Sequence, residues 1–331
     1  MKIAIIGATG LVGQTMLQVL AERGISHRHE IILAASQASA GRTLPIHGKN
    51  TKVITPEETL ALRPDFALFS AGGDPSRYYA PMFTEAGVCV IDNSSAWRME
   101  PSIPLVVPEI NAATCRDHLL IANPNCSTIQ LVMVLAPLHK KYGIRRVVVS
   151  TYQSVTGTGK KAVDQLFQER EAKEVARIYP WPIDLNCIPQ CDVFTENDYT
   201  KEEMKIIQES RKILGIPDLA ITATAVRVPV IGGHSESVNL ELLNEINLTE
   251  IRDILRTSPG IFVQDEPQNN LYPMPLHSSG KDEVFVGRIR KDESIKNGIN
   301  LWISADNLRK GAATNAIQIL EYLMRTRHGV A

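Results

Sequence analysis

A cysteine flanked by turn-forming residues is the first candidate for chemistry. Cys126 lies in the sequence Asn-Pro-Asn-Cys-Ser-Thr at 123–128, between a predicted short strand and an apolar stretch long enough for a helix. The positive end of a helix dipole favours the thiolate form of a cysteine. The backbone N–H groups at that end, together with the Asn125 side chain, are expected to form an oxyanion hole. Cys126 is therefore predicted to be an accessible nucleophile.

A thiol nucleophile needs a base, and histidine is the candidate type in this chain. His234 follows a predicted strand and the pair Gly232-Gly233, which can bend the chain and present the ring. Five other histidines lie in polar or helix-end positions typical of a surface. His47 and His277 lie in loops flanked by proline or glycine, so the residues alone leave both open beside His234.

A glycine-rich turn at the start of the chain predicts a dinucleotide site. It follows the first predicted strand and opens the first helix, where glycines let the backbone approach a pyrophosphate and the helix offers its N–H groups. The spacing is G-x-x-G-x-x-G rather than G-x-G-x-x-G. The residues expected to bind the cofactor here are Gly7, Thr9, Gly10, Leu11, Val12 and Gly13.

The end of the second predicted strand indicates which dinucleotide is bound. A carboxylate normally holds the ribose 2′-hydroxyl of NAD at this position. None is present in residues 35–42, whereas Ser36, Ser39 and Arg42 offer hydrogen bonds to a 2′-phosphate. The sequence therefore favours NADP, with NAD possible.

The first third of the chain alternates short apolar strands with helix-length segments. Helices are predicted at Leu11–Arg23 and Ser76–Glu85. This order predicts βαβ units and a doubly wound, Rossmann-type α/β domain. The predicted strands are Lys2–Ile6, Glu30–Ala35, Phe66–Ser70, Val88–Asp92 and Leu119–Ala122.

The pattern changes after Cys126 and predicts a second, α+β domain with a mixed sheet. Long strands replace the short ones, and Asn297-Gly298 is a hairpin signal. The last helix, Ala312–Arg327, is expected to return to the first domain. The expected domains are 1–125 with 307–331, and 126–306. Helices are predicted at Ser127–Tyr142, Lys160–Lys173 and Lys201–Leu214, and strands at Arg146–Gln153, Ala220–Val230, Ser237–Leu243, Val284–Ile289 and Ile299–Ala305.

The amino-acid composition argues against several classes of protein. The 331 residues are 44% hydrophobic and 21% charged, with a net charge of -1, so we expect neither nucleic acid nor a membrane as partner. The five cysteines are odd in number and show no zinc-ligand spacing, which predicts neither a disulfide framework nor a metal site. No secretory signal is recognisable, and we expect a cytoplasmic protein.

Taken together, these segments resemble the aspartate-semialdehyde dehydrogenase family over nearly the whole chain. The resemblance implies that Cys126 is the nucleophile, that His234 is the acid/base, and that Gln153 orients the acyl group. Its most specific parts are the Asn-Cys-Ser-Thr sequence and an arginine seven residues before His-Ser. The other matching segments are 7–13, 70–73, 92–98, Gln153 with Gly157 and Gly159, and 306–311.

The resemblance also implies a charged substrate site. Arg227 pairs with the substrate α-carboxylate, since a planar guanidinium suits that anion. Glu202 meets the substrate ammonium, with Glu203 as an adjacent competitor for the role, while Arg98 and Lys205 bind phosphate. Glu202 and Lys205 are three residues apart and share one helix face, which also fits a simple surface ion pair.

On the cofactor side, the resemblance adds residues and raises one discrepancy. Many members carry an arginine at the end of the second strand where this chain has Ala38, which puts strict NADP preference in doubt. The family implies a homodimer or homotetramer. The added cofactor residues are Ser70, Gly72, Asn93, Gly157 and Asn307.

Three alternatives compete with this interpretation. N-acetyl-γ-glutamyl-phosphate reductases share the chemistry but carry Pro-Gly-Cys-Tyr, where this chain has Pro124-Asn125-Cys126-Ser127. Glyceraldehyde-3-phosphate dehydrogenases place Ala-Ser before their cysteine. A catalytically silent NADP-binding homologue would keep the glycine turn but would not need Cys126, Gln153, Arg227 and His234 together. The resemblance therefore implies reduction of L-aspartyl 4-phosphate to the semialdehyde through a cysteine thioester.

Overall fold

The chain folds into two compact units. The computed structural model describes residues 1–173 and 176–329. The first unit contains Met1–Pro124 together with the chain from Ala312 onward, and the second contains Asn125–Gly311. The sequence led us to expect divisions after residues 125 and 306.

The first unit is built on a parallel sheet with one antiparallel edge strand. Its seven strands run in the order β3-β4-β2-β1-β5-β6-β7, and only β3 is antiparallel to its neighbour. The elements in chain order are β1 Lys2–Ile6, α1 Leu11–Glu22, α2 Ile25–Arg28, β2 Glu30–Ala34, β3 Thr43–Ile46, β4 Lys49–Ile54, α3 Pro56–Ala61, β5 Phe66–Phe69, α4 Gly73–Glu85, β6 Cys89–Asp92, α5 Pro108–Asn111 and β7 Leu120–Ala122, with a 3₁₀ turn at Ala112–Cys115.

These strands are continuous apolar runs in the sequence because both faces of the sheet are buried. All four residues of β5 are buried, and in β1 only Lys2 is not. A parallel sheet is covered by helices on both sides, so its strands need not alternate. The confirmed doubly wound arrangement brings the carboxyl ends of β1, β2 and β5 to one edge of the sheet.

The second unit contains a mixed six-stranded sheet in the order β11-β12-β13-β10-β8-β9. The β8–β9 and β11–β12 pairs are parallel and the other three are antiparallel. Its elements are α6 Cys126–Tyr142, β8 Ile144–Ser154, α7 Lys160–Arg170, α8 Lys201–Leu214, β9 Ala220–Val228, β10 His234–Leu242, α9 Leu248–Thr257, β11 Ile261–Val263, α10 Pro275–Ser278, β12 Val284–Asp292 and β13 Gly298–Ala305, with 3₁₀ turns at Val155–Gly157 and Pro267–Asn269.

The chain then re-enters the first unit. A π-helical turn at Arg309–Ala313 leads into α11, Thr314–His328. Residues of α11 such as Ile317 and Leu320 are fully buried and belong to the same apolar cluster as Ile3 of β1. The final helix therefore completes the core of the unit that the chain began.

Several of the helices and strands were not predicted from the sequence. The β3–β4 hairpin and the short β11 give weak signals, because these strands are short and most of their residues are exposed or half-buried. Helix α3 carries a capping box formed by Thr55 and Glu58, a local signal that was overlooked. Helix α9 begins at an Asn247 cap and was also missed. Across the described residues, no helix combines the length and apolarity needed to cross a bilayer.

Candidate active site

Cys126 occupies the first position of α6, as the sequence predicted to within one residue. The N-cap is Asn125, whose side-chain oxygen accepts hydrogen bonds from the N–H groups of Ser127 and Thr128 at 3.0 and 3.2 Å. Cys126 is half-buried, and a Cβ at Gly311 would lie 2.9 Å from the Cys126 Cβ, so the Gly311 backbone packs directly against it. The cysteine is thus held at a helix N-terminus without being sealed in the core.

Two carboxylates of α8 hold the residue before the cysteine. Glu209 accepts a hydrogen bond from the Asn125 backbone N–H at 2.7 Å, and Glu202 accepts one from the Asn125 side-chain amide at 2.8 Å. The two acids are seven residues apart, so they lie on one face of the helix. With its carbonyl bonded to Ile129, Asn125 uses every polar group it has.

These contacts bear on the expected oxyanion hole. One hydrogen of the Asn125 amide is donated to Glu202, and the N–H groups of Ser127 and Thr128 are committed to the cap. Asn125 lies beside the cysteine as predicted, and in this structure its side chain positions the turn.

Glu202 is the charged centre of this cluster. The Gln153 amide donates to it at 3.1 Å, and the Lys205 ammonium lies 3.2 Å from its other oxygen. Burial opposes its ionisation. The charge of Lys205, the hydrogen bonds from Asn125 and Gln153, and the charge of Arg227 together hold the pKa of Glu202 below its usual value. Glu202 is therefore a buried anion that can receive a substrate cation.

Lys205 joins Glu202 to a second acid. Its ammonium lies 2.8 Å from Asp192, and the two carboxylates outweigh burial and raise the pKa of Lys205. Asp192 adopts φ 71°, a left-handed conformation that a non-glycine residue adopts at a cost. The Glu202–Lys205 pair predicted as one possibility is present, but its glutamate is buried rather than on the surface.

The structure separates Glu202 from its competitor Glu203. Glu203 accepts hydrogen bonds from the N–H of Thr200 as part of the α8 capping box, and its other oxygen accepts the N–H of Ala225 at 2.8 Å. Both oxygens of Glu203 therefore bond to backbone, and Glu202 is the acid that faces Asn125 and Gln153.

Of the candidate histidines, His234 is the one whose ring lies near the charges of Arg227 and Glu202. It is fully buried at the start of β10, and its Nδ1 accepts a hydrogen bond from the Ser154 N–H at 3.0 Å. Burial first, and the positive charge of Arg227 second, lower the pKa of His234 to about 3. Of the two alternatives, His47 stacks on His27 in the first unit, and His277 bonds to Gln264.

Arg227 packs against the same residues as His234. Its Nη1 donates to the Ser154 carbonyl at 2.7 Å, and its guanidinium lies 5.8 Å from the Tyr179 ring centre. A Cβ on Gly157 would lie 3.1 Å from both Arg227 Nη1 and His234 Nε2. A side chain at 157 would make tight contacts with both groups, which would have to shift by a few tenths of an ångström.

In the first unit, the glycine-rich turn has the geometry of a phosphate cradle. Gly7 has φ +97°, and a Cβ there would lie 2.3 Å from the Ser70 carbonyl oxygen. Gly10 is the N-cap of α1 and makes no side-chain cap, and the first turn of α1 holds no acidic residue. The N–H groups at this helix start, which includes Leu11 and Val12, suit an anion, and the residues present fit a dinucleotide pyrophosphate.

The remaining predicted cofactor residues occupy two regions. Ser36, Ser39 and Arg42 lie in the turn after β2, with Ser36 and Arg42 exposed, and Gly72 caps α4 with φ +91°. They share the sheet edge with the glycine turn, where open α/β sheets bind ligands. In the second unit, Thr156 donates to Asn307 at 2.8 Å and so places Asn307 beside the turn containing Gly157.

Arg98 and Asn93 belong to one network in the first unit. Arg98 is buried and donates to the carbonyl oxygens of Asn123 and Asn93, both at 2.9 Å. The Asn93 side chain accepts from the Asn123 amide at 2.6 Å. The adjoining Asp92 is fully buried and accepts from Ser76 and Ser94, which fixes the loop that carries Arg98.

Three residues of the site were not predicted. Glu209 is one, although its seven-residue spacing from Glu202 on a predicted helix was a usable signal. Ser154 takes part through its backbone N–H and carbonyl, which any residue would supply. Asp192 takes part through its carboxylate, which binds Lys205 from a loop that has no periodic pattern.

Two models of known protein families match this chain, one within each of its two units. The family model "Semialdehyde dehydrogenase, NAD binding domain" matches residues 2–118, and "Semialdehyde dehydrogenase, dimerisation domain" matches 135–310. A relative from Aquifex aeolicus (strain VF5), an aspartate-semialdehyde dehydrogenase, is 50% identical over 98% of both chains.

Solved structures of similar proteins have the same fold as this chain. Aspartate semialdehyde dehydrogenase II from Vibrio cholerae, complexed with ASA, is 45% identical with a TM-score of 0.93, covering 98% of both chains. Aspartate semialdehyde dehydrogenase with NADP from Candida albicans is 26% identical with a TM-score of 0.78, again covering 98% of both chains.

Proposed function

Because the chain belongs to the aspartate-semialdehyde dehydrogenase family, we propose that it reduces L-aspartyl 4-phosphate to L-aspartate 4-semialdehyde and catalyses the reverse phosphorylating oxidation. This is a step of aspartate-family amino-acid biosynthesis. The observation that carries the proposal is Cys126 at the first position of α6, beside an N-cap tied to Glu202. The relatives described above carry this family's name, which favours it over the other reductases considered.

The thiolate of Cys126 attacks the acyl carbon, phosphate leaves, and a thioester forms on the sulfur. Gln153 orients the acyl group from its place between Ser127 and Glu202. His234 acts as the acid/base for the tetrahedral intermediates. Cys126 is regenerated as the aldehyde is released.

Charged residues recognise the rest of the substrate. Glu202 receives the ammonium, which its retained negative charge supports. Arg227 receives the α-carboxylate, and its buried Nε has no hydrogen-bond partner among the described residues. Lys205 and Arg98 receive the phosphate. Lys205 must exchange its contact with Glu202 for the substrate, because the two ammonium groups would compete for one carboxylate.

The cofactor proposed is NADP, with NAD possible. The cradle formed by Gly7, Gly10 and Gly13 is suited to the pyrophosphate, and the turn from Ser36 to Arg42 carries no carboxylate to repel a 2′-phosphate. NADPH, when bound, supplies the hydride that reduces the thioester. Ala38 leaves Arg42 as the nearby cation for the 2′-phosphate.

The proposal extends to assembly and compartment. We propose a homodimer or a homotetramer, since residues 135–310 match a dimerisation domain. We propose a cytoplasmic enzyme, with the absence of disulfides among its five described cysteines in support.

The test is an assay of the purified full chain with aspartate semialdehyde, phosphate and each cofactor. We expect reduction of NADP that requires phosphate and saturates with both substrates. The matched control replaces Cys187, an exposed cysteine outside the site, with serine and should behave as the wild type. Turnover independent of phosphate, or no turnover with this aldehyde, would contradict the proposal.

A further inference from the structure

A cavity of about 290 Å³ lies in the first unit between α1 and β3, with α2 at one end. The α1 residues that line it are Gln14, Leu17, Gln18 and Ala21. They are spaced as i, i+3, i+4 and i+7, so they form one face of the helix. An engineered cavity of about 150 Å³ binds benzene, so this cavity has room for one ring with a short substituent.

The walls of the cavity are mostly apolar and carry no formal charge. Leu17 of α1 and Leu44 and Ile46 of β3 pack on the core cluster of the unit, yet each stays partly exposed on the side of the cavity. Aspartate, glutamate, lysine and arginine are absent from the lining within the described part of the chain. A charged ligand would lose its hydration without gaining a counter-charge, so the lining selects an uncharged molecule.

One polar group at the cavity lacks a hydrogen bond. Ser26 of α2 is 8% exposed and lines the cavity, and its Oγ has no hydrogen-bond partner among the described residues. The amides of Gln14 and Gln18, in contrast, donate to the Thr9 carbonyl and to Glu22. A buried hydroxyl without a partner is unfavourable, and an oxygen or nitrogen atom of a ligand would restore its hydrogen bond.

Water alone suits this lining poorly. A buried water typically makes about two to four hydrogen bonds, whereas most of this wall is hydrocarbon. Water that an apolar wall orders poorly is displaced favourably by an apolar group. The combination of a hydrocarbon wall and one unsatisfied hydroxyl therefore fits a ligand that is mostly apolar and has one polar end.

The cavity is distinct from the predicted cofactor site. That site lies at the carboxyl ends of β1 and β2, where α1 begins. Strand β4 is parallel to β2, and β3 runs antiparallel to β4, so β3 leads from the cofactor edge of the sheet toward the opposite edge. At this far end, His47 stacks on His27, the residue after Ser26, with 3.6 Å between ring centres. The Ser26 end of the cavity therefore lies away from the dinucleotide.

We propose that this cavity is a second ligand site, which takes one small uncharged molecule with an apolar ring and a single hydrogen-bonding group placed against Ser26 Oγ. The ring covers the walls that α1 and β3 provide, and the polar group satisfies the serine. The site is independent of the proposed reaction, because it shares no residue with the cluster around Cys126 or with the predicted cofactor residues.

The test is a fluorine NMR titration of para-fluorophenol into the full chain, with and without saturating NADP. We expect saturable binding in the millimolar range that NADP does not displace. Leu17→Trp places a larger side chain in the cavity and should abolish binding. The matched control is Leu62→Trp, at an exposed leucine of the same unit outside the cavity, and it should bind as the wild type does. Circular dichroism confirms that each variant is folded.

A second variant tests the polar end of the ligand. Ser26→Ala should weaken para-fluorophenol binding by about 5-fold and leave fluorobenzene, which lacks the hydroxyl, within about two-fold of its wild-type affinity. Para-fluorobenzoate should bind at least about 10-fold more weakly than para-fluorophenol, because the lining cannot pair its charge.

Four results would overturn the proposal: no saturable binding of para-fluorophenol to the wild type, its displacement by NADP, equal affinities in Leu17→Trp and Leu62→Trp, or an unchanged affinity in Ser26→Ala. Each of them is read from binding, so none depends on whether the chain turns over aspartate semialdehyde.

Discussion

Glu236 offers a prediction about stability that can be worked from the structure. It lies on β10, paired with Thr151 and Ile303 of the adjacent strands, and it is fully buried. Neither carboxyl oxygen has a hydrogen-bond partner among the described residues, and the same holds for Nε2 of the nearby Gln130. Burial raises the pKa of Glu236 well above 4.5, with the Gln130 amide opposing the effect.

The sign of the pH dependence follows from this raised pKa. Above pH 4.5 the unfolded chain releases the Glu236 proton while the folded chain retains it, so the free energy of unfolding falls as pH rises. Each pH unit is worth about 1.4 kcal/mol, and neutral pH is about 2.5 units above the unfolded value, so the loss reaches at most about 3.5 kcal/mol. The full stability contribution of this group is present only below pH 4.5.

Glu236→Gln should remove that loss, because glutamine has the shape of the protonated acid and cannot ionise. We expect its unfolding midpoint to rise at about pH 7, by about 2–4 °C for each kcal/mol gained, and to match the wild type at about pH 4.5. Glu241→Gln on the same strand is the control. Glu241 is partly exposed and pairs with Arg145, so its replacement should change stability by less than about 1 kcal/mol at either pH.

Thermal unfolding followed by circular dichroism at both pH values is the assay. A Glu236→Gln variant that is less stable than the wild type near neutral pH would show that the carboxylate is ionised and paired. A gain of equal size at both pH values would show that it comes from packing and not from ionisation. Either result would refute the reasoning.

Three further predictions concern the active site. Cys126→Ser should fold as the wild type and lose at least about 10³-fold in kcat, with activity near wild type contradicting the nucleophile. Gly157→Ala should lower kcat by about 10²-fold, because its Cβ would press on the buried His234 ring; a value within two-fold of wild type would show that the ring can move. Glu209→Leu should lower the melting temperature and kcat, since it leaves the Asn125 N–H without its acceptor, while Glu209→Gln should restore most of both; equal losses in the two variants would mean that the charge matters more than the hydrogen bond.

Structural features that depend only on neighbouring residues in the sequence could be predicted from it. Strand β1 and helix α8 have the predicted bounds, since an apolar run before a glycine turn and a capped amphipathic stretch are local signals. The start of α6 at Cys126 was predicted to within one residue because asparagine is a strong N-cap. The same local chemistry selected Cys126 from the five cysteines.

Contacts between distant residues could not be read in this way. Glu209 reaches Asn125 across 84 positions, and the Ser154 N–H reaches His234 across 80. Such pairings depend on how β8, β10 and α8 pack, and no periodicity encodes that. The predicted oxyanion hole illustrates this limit, because local reasoning counted the groups at the helix start without the Glu202 carboxylate that accepts a hydrogen bond from the Asn125 amide.

Helix α8 shows why the burial of the site's carboxylates could not be predicted from the sequence pattern. It reads as a charged surface helix, yet Glu202, Glu203 and Glu209 are all buried. Burying a carboxylate is costly unless hydrogen bonds and charges compensate, and each of these three accepts hydrogen bonds from backbone N–H groups or side-chain amides. Leucine at these positions would pack at lower cost, but it could neither cap the turn before the cysteine nor hold an ammonium. The helix therefore accepts a penalty in stability because its acids fix the turn before Cys126 and, under the proposed function, provide the negative charge that binds the substrate ammonium.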